Sequence, residues 1–184
     1  MGVLELILTS IGLAMDAFAV SVCKGLSMKK IEIKKLLIIG AYFGGFQALM
    51  PLIGYFCTNL FKEQVTSFSY IIAFILLTLI GAKMIKEAFD NDGENCNDKV
   101  DFKTMIVLAI ATSIDALAVG ITFSLLEVKI INAITLIFII TTLLSFIGVK
   151  LGNKIGNKLN NIAKILGGII LIIIGIKILI NHLT

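Results

Sequence analysis

The chain has 184 residues, of which 58% are hydrophobic, and it carries a formal net charge of +4 with no tryptophan. Its mean hydropathy is +1.04. An ordinary soluble domain contains about 45 to 50% apolar residues, so this composition excludes that class and predicts an integral membrane protein without a separate soluble domain.

Six apolar stretches follow one another along the chain, each long enough to cross about 30 Å of hydrocarbon at about 1.5 Å per residue. The first stretch has no basic segment before it and contains Asp16, which argues against a cleaved signal peptide. Period-two alternation is absent, which argues against a transmembrane barrel. We therefore predict an all-α integral membrane protein with six transmembrane helices, at residues 3–25, 36–58, 68–88, 104–126, 130–149 and 162–181.

The lysines predict how these helices are oriented. All 16 positive charges are lysines, because the chain contains no arginine. If successive stretches cross in alternate directions, only Lys62, Lys129 and Lys177 fall on one side. An excess of positive charge marks the cytoplasmic side, so we expect both termini to face outward. The lysines are then anchors at the lipid surface, and no nucleic-acid partner is expected.

The three cysteines, at positions 23, 57 and 96, fit no zinc-binding pattern. The predicted topology places Cys57 on the opposite side of the membrane from the other two. We therefore expect no disulfide, and we expect packing or surface roles for the thiols.

The two halves of the chain resemble each other. A shift of 99 residues lays Asp16-Ala17 over Asp115-Ala116, and a shift of 94 lays Leu52-Ile53-Gly54 over Phe146-Ile147-Gly148 and segment 79–85 over 173–179. Each half holds an odd number of crossings, so the copies must have opposite polarity, as in many secondary transporters with midplane binding sites. We predict an inverted repeat of two three-helix units, at residues 1–89 and 103–184, joined by a polar cytoplasmic linker at 90–102.

Asp16 and Asp115 each lie near the middle of an apolar stretch. A carboxylate at the centre of a transmembrane helix costs about 2.5 to 3.5 kcal/mol on insertion scales. Lys83 and Lys177 lie toward helix ends and are expected to extend to the headgroups. A bound cation or a proton is then the simplest group to neutralise the two aspartates.

Other oxygen-bearing side chains accompany the aspartates. Helical spacing places Thr112 on the face of Asp115, and the repeat alignment sets Gln47 opposite Thr141. Carboxylate, amide and hydroxyl oxygens suit a hard divalent cation, whereas a thioether suits a softer metal. Core filling is the alternative role for a methionine. The candidate metal ligands are Asp16, Asp115, Gln47, Thr112, Thr141 and Met15.

Four phrases of the sequence, at residues 12–19, 44–54, 111–120 and 166–171, are similar in order and spacing to the MntP-type family of bacterial manganese exporters. The resemblance implies six helices, a multi-pass location in the bacterial cytoplasmic membrane and export of manganese(II). It also implies that Asp16 and Asp115 are important for transport. Some members of that family carry an acidic residue at the position of Gln47.

The expected mechanism is alternating access around the two aspartates, with manganese(II) as substrate and the bilayer as the other partner. Protons and metal would compete for the same oxygens, so proton return is one candidate for the driving force. Another divalent cation, a small cationic solute and a passive channel stay open as alternatives. Intramembrane aspartyl proteases carry Gly-x-Gly-Asp and Tyr-Asp phrases that this chain lacks, so we expect no enzyme. No cofactor is expected, and no oligomer is indicated.

Overall fold

A computed structural model describes residues 2–59, 69–89, 100–155 and 158–183. Across these ranges the regular structure consists of six α-helices. In lipid every backbone polar group needs an internal partner, which a helix provides along its own length. The helices are α1 Val3–Ser27, α2 Ile33–Asn59, α3 Ser69–Phe89, α4 Phe102–Leu125, α5 Ile130–Ile155 and α6 Lys158–Leu183.

The predicted six helices are therefore present, and the prediction of an all-helical chain is confirmed. Four of them, α1, α2, α4 and α5, are long and apolar enough to cross a membrane. In α3 and α6 the apolar sections are shorter, at Ile71–Lys83 and Ile165–Ile180. The predicted linker at 90–102 lies largely outside the described residues.

Polar side chains form hydrogen bonds with backbone groups at the ends of the helices. At the start of α4, Asp101 Oδ2 accepts a hydrogen bond from the backbone N–H of Thr104 at 3.1 Å, as an N-cap residue does. At the end of α1, Asn153 Nδ2 of α5 donates to the carbonyl oxygens of Gly25 and Met28. This second contact fixes the end of α1 against α5.

The most extensive interfaces each join one helix from each half of the chain. These interfaces are α1 with α5, α2 with α4, and α3 with α6, while α2 with α5 and α1 with α6 also pack closely. Small residues permit this packing. A Cβ atom on Gly120 of α4 would overlap the Pro51 carbonyl oxygen of α2, and one on Gly152 of α5 would overlap the Val22 carbonyl oxygen of α1.

Apolar side chains divide between the bundle interior and its surface. Interior residues such as Phe43, Phe123 and Leu171 are fully buried. Large apolar residues such as Leu79 and Leu143 are exposed on the surface instead. A continuous apolar surface of this kind suits contact with lipid rather than water.

One expectation about the cysteines is wrong. Cys23 is disulfide-bonded, whereas the predicted topology leads us to expect no disulfide. Cys57 is free and exposed, and Cys96 lies outside the described residues.

Candidate functional site

The Asp115 carboxylate points into the bundle. Asp115 is 9% exposed, while the adjacent Ile114 is 57% exposed, because consecutive helical residues lie about 100° apart around the axis. The face of α4 that carries Asp115 also carries Thr112, Val119 and Thr122, all of which are buried. Asp115 and Thr112 therefore share the face of α4 that lies toward the bundle interior.

Lys83 of α3 forms an ion pair with Asp115. Its Nζ lies 3.0 Å from Oδ1 and 3.2 Å from Oδ2, so the ammonium donates to both carboxylate oxygens. This pairing differs from the expectation that Lys83 would extend to the headgroups. A lysine side chain is long enough to reach inward from a position near a helix end, so the position of Lys83 along the helix does not by itself fix where its ammonium lies.

Burial differs between the two members of the ion pair. The Lys83 side chain is 48% exposed, whereas the Asp115 side chain is 11% exposed. The carboxylate is therefore fixed inside the bundle, and the ammonium approaches it from the bundle surface. A buried carboxylate requires a compensating charge, and here a protein side chain supplies it.

Asp16 lies at the equivalent place on α1. The residue is half-buried, and its Oδ1 atom is out of contact with solvent. The residues on either side, Met15 and Ala17, belong to the bundle core. One turn earlier, Gly12 lies against the Leu171 side chain of α6. Helix α1, which carries Asp16, packs against both α5 and α6.

Gln47 of α2 connects three helices. Its Nε2 donates to the Leu13 carbonyl oxygen of α1 at 2.8 Å, and its Oε1 accepts from Ser113 Oγ of α4 at 2.8 Å. The side chain is fully buried. In this arrangement the amide holds α1, α2 and α4 together within one turn of both aspartates. Oε1 has a second lone pair beside the one that accepts from Ser113, so this oxygen can also face a cation.

We expect Gln47→Met to lower the thermal midpoint of the detergent-purified protein. Methionine keeps the side-chain length but removes both hydrogen bonds and leaves buried partners unsatisfied, which costs about 1 to 3 kcal/mol. A double-mutant cycle with Ser113→Ala isolates one bond. We expect a coupling of about 0.6 kcal/mol or more, a typical value between membrane helices. Strict additivity of the two substitutions would contradict this role for Gln47.

The three other candidate ligands lie in different settings. Thr112 is buried and its Oγ1 donates to the Leu108 and Ala109 carbonyl oxygens of its own helix, which leaves the oxygen lone pairs available. Thr141 is fully buried on α5, and no described group forms a hydrogen bond with its Oγ1. Met15 is 9% exposed and packs within the main apolar core, as core filling predicts.

Among the residues that the structure describes, no three His, Cys, Asp or Glu side chains come together to hold a metal ion. The structure brings Gln47 within hydrogen-bonding distance of both aspartate-bearing helices. Two residues that contact the candidate ligands, Ser113 and Lys83, were not identified from the sequence as part of the site. Ser113 could have been found from its position two residues before Asp115, and Lys83 from the length of its side chain.

A second lysine, also near the end of a helix, forms a different ion pair. Lys177 of α6 occupies the position that the repeat alignment equates with Lys83. Its Nζ lies 2.6 Å from Oε1 of Glu5 at the start of α1. The two equivalent lysines therefore contact different carboxylates: one at the centre of a helix and one at a helix end.

Known proteins resemble this chain over its whole length. A family model described as "Putative manganese efflux pump" matches residues 30–179. A protein of Desulfitobacterium hafniense (strain Y51) with the name "Putative manganese efflux pump MntP" is 52% identical over 183 residues, covering 100% of this chain and 97% of that protein. A protein of the same name from Campylobacter jejuni (strain RM1221) is 57% identical over 182 residues, covering 97% of this chain and 96% of that protein.

No solved structure matches the chain. The match to the family model covers most of the sequence, and the relatives align from end to end. The chain therefore belongs to the family described as "Putative manganese efflux pump".

Proposed function

We propose that this chain exports manganese(II) across the bacterial cytoplasmic membrane as a secondary transporter. The observation that carries the proposal is the identity of about half, over the full length, to proteins named as manganese efflux pumps. The apolar helices provide the membrane-spanning scaffold. The inward-facing Asp115 carboxylate provides a hard oxygen ligand of the kind that manganese(II) prefers.

The proposed binding groups are the six candidates from the sequence, with Asp16 and Asp115 as the charged members. Thr112 contributes an oxygen whose proton is already donated to its own helix. Thr141 contributes a buried hydroxyl that has no hydrogen bond to the described residues. Gln47 contributes its Oε1 oxygen, which has a second lone pair beside the one that accepts the Ser113 hydrogen bond.

The packing of α2 on α4 and of α5 on α1 supports the proposed inverted repeat. Gly54 and Gly148 are equivalent positions in the alignment, and so are Leu117 and Phe18. A Cβ on Gly54 would overlap the Leu117 carbonyl oxygen, and a Cβ on Gly148 would lie 2.8 Å from the Phe18 carbonyl oxygen. Equivalent residues thus form equivalent close contacts, as two copies related by a two-fold axis would.

The directions of the helices are also consistent with opposite polarity. At the two ends of the α1 and α5 interface, Phe18 lies near Gly148, and Met28, just after the end of α1, accepts a hydrogen bond from Asn153. The positions increase together, so α1 and α5 run parallel. An odd number of crossings per repeat requires this relation between the first helix of one unit and the second helix of the other.

In the proposed mechanism, manganese(II) enters from the cytoplasmic side and exchanges part of its hydration shell for the aspartate oxygens. Movement of residues 1–89 relative to 103–184 then opens the outer side. The lysine distribution supports outward-facing termini and a cytoplasmic linker at 90–102. Proton return through the same carboxylates is the proposed drive.

We expect expression of this chain in an exporter-deficient bacterium to lower cellular manganese severalfold and to raise manganese tolerance, because net export opposes uptake. Cellular metal content measured by mass spectrometry checks this. In vesicles that contain the purified chain, a proton gradient should drive manganese against its own gradient. Unchanged manganese content alongside a lowered iron, cobalt or cadmium content would instead favour an exporter of another divalent cation.

A further inference from the structure

Lys83 holds the two carboxylate oxygens that a transported cation would need. Its Nζ lies 3.0 Å and 3.2 Å from the two Asp115 oxygens. A divalent metal binds carboxylate oxygens at about 2.0 to 2.6 Å, the range of hard-cation sites. The ammonium and a metal ion cannot both occupy this position, because they use the same lone pairs and repel each other.

The structure of the ion pair allows the ammonium to leave while the carboxylate stays. The Asp115 side chain is 11% exposed and surrounded by the bundle, whereas the Lys83 side chain is 48% exposed at the bundle surface. A lysine side chain has four flexible methylene groups and can move its charge toward the headgroups.

We propose that the Lys83 ammonium is a built-in substitute for the cargo, bound to Asp115 when the site is empty and displaced when a divalent cation binds. This inference rests on the proposed transport function. The Asp115 carboxylate is then compensated when no cation is bound, so the empty transporter reorients without leaving this charge unpaired in the bundle. Lys83 thereby determines whether the chain performs net export or only exchanges one manganese ion for another.

Lys177 offers a matched control for this proposal. The repeat alignment places it at the position of Lys83, and it too pairs with a carboxylate. Its partner Glu5 lies in the first turn of α1 rather than near the centre of a helix. Substitution of Lys177 therefore removes a lysine and an ion pair but leaves Asp115 and its ammonium in place.

The test compares two rates in phosphatidylethanolamine and phosphatidylglycerol vesicles that contain the purified full chain. One is net manganese(II) flux down a gradient, and the other is exchange of radioactive manganese(II) at equal concentrations on both sides. We expect Lys83→Gln to lower net flux about tenfold while exchange persists. The half-saturating manganese(II) concentration should fall, because the competing ammonium is gone. Lys177→Gln should keep the wild-type ratio of the two rates.

Lys83→Arg provides a second variant with the opposite expected sign. A guanidinium binds a carboxylate through two parallel hydrogen bonds and holds it more firmly than an ammonium does. The half-saturating concentration should therefore rise in this variant. If Lys83 is purely structural, Lys83→Gln should instead lower net flux and exchange in parallel. The two variants should then show no opposite shifts of the half-saturating concentration. That result would overturn the inference.

The outcomes also separate this inference from the proposed function. A wild-type chain that moves no manganese(II) in either assay contradicts the proposed function, and the substitute role falls with it. A wild-type chain that moves manganese(II), together with a Lys83→Gln variant whose ratio of rates and affinity are unchanged, contradicts the role of Lys83 alone.

Discussion

Asp115→Asn should reduce manganese export about 100-fold or more while the protein remains folded. Loss of a residue that only supports a metal ligand costs about 10 to 100-fold in affinity or activity, and a carboxylate that itself binds the cation should cost at least as much. Asparagine keeps the shape and one oxygen but removes the charge. Export rates in vesicles, together with gel filtration of the purified variant, measure the two effects separately.

The fold should tolerate this substitution because of the exposure of Lys83. Removing one member of a fully buried ion pair costs about 3 to 5 kcal/mol, since it leaves the other charge uncompensated. Lys83 is half exposed and can direct its ammonium to the headgroups, so the cost here is smaller. Asp16→Asn should give a similar loss of export.

Glu32→Gln provides the control for both aspartates. Glu32 precedes α2 and pairs with Lys35 at 3.3 Å, and its side chain is 61% exposed. A surface pair of this kind contributes about 0 to 1 kcal/mol, so export should stay at the wild-type level. Export by the two aspartate variants at the level of Glu32→Gln would contradict the role proposed for the carboxylates.

Hydropathy was sufficient to predict the helices but not their ends. The fifth apolar stretch was predicted at 130–149, and α5 continues to Ile155. Helical hydrogen bonds persist beyond the apolar segment, and here the extra turn carries Asn153, which caps α1. Hydropathy reports the length of the lipid-facing segment, whereas tertiary contacts fix where the helix stops.

The face of α4 on which Asp115 lies could be predicted from the sequence, but the contacts between side chains of different helices could not. The inward face of Asp115 follows from helical periodicity. The bond between Gln47 and Ser113 depends on how α2 and α4 align along their axes, which no periodicity within either helix specifies. The same reason applies to Lys83, whose reach to Asp115 depends on the relative height of α3 and α4.

The proposed site depends on the close approach of α2 and α4. The Gln47 to Ser113 hydrogen bond lies along this interface. Further along it, Gly54 lies against the Leu117 backbone and Gly120 lies against Pro51. Glycine at these positions allows two backbones to meet, and lipid offers no hydrophobic force to replace that packing. The contact between Gln47 and Ser113 therefore depends on the absence of a side chain at Gly54 and Gly120.

Gly120→Ala should be among the most destabilising single-methyl changes in the chain. The added Cβ would overlap the Pro51 carbonyl oxygen and would lie 2.5 Å from the Pro51 Cα. Both atoms belong to the backbone of α2, so a rotamer change cannot relieve the overlap, and the two helices must separate. Overpacking costs about 1 to 3 kcal/mol and occasionally more. The thermal midpoint in detergent should fall accordingly, and export should fall with it because Gln47 and Ser113 move apart.

Gly45→Ala makes the same chemical change where space is available. Gly45 lies inside α2, and a Cβ there would have nothing within 4 Å among the described residues. Alanine is favoured over glycine in a helix by about 1 kcal/mol, so this variant should be as stable as the wild type or more stable. The two substitutions therefore have opposite expected signs in one assay. Equal thermal midpoints for the two variants would mean that α2 and α4 do not meet at Gly120, and the arrangement of Gln47 and Ser113 beside Asp115 would then have to be abandoned.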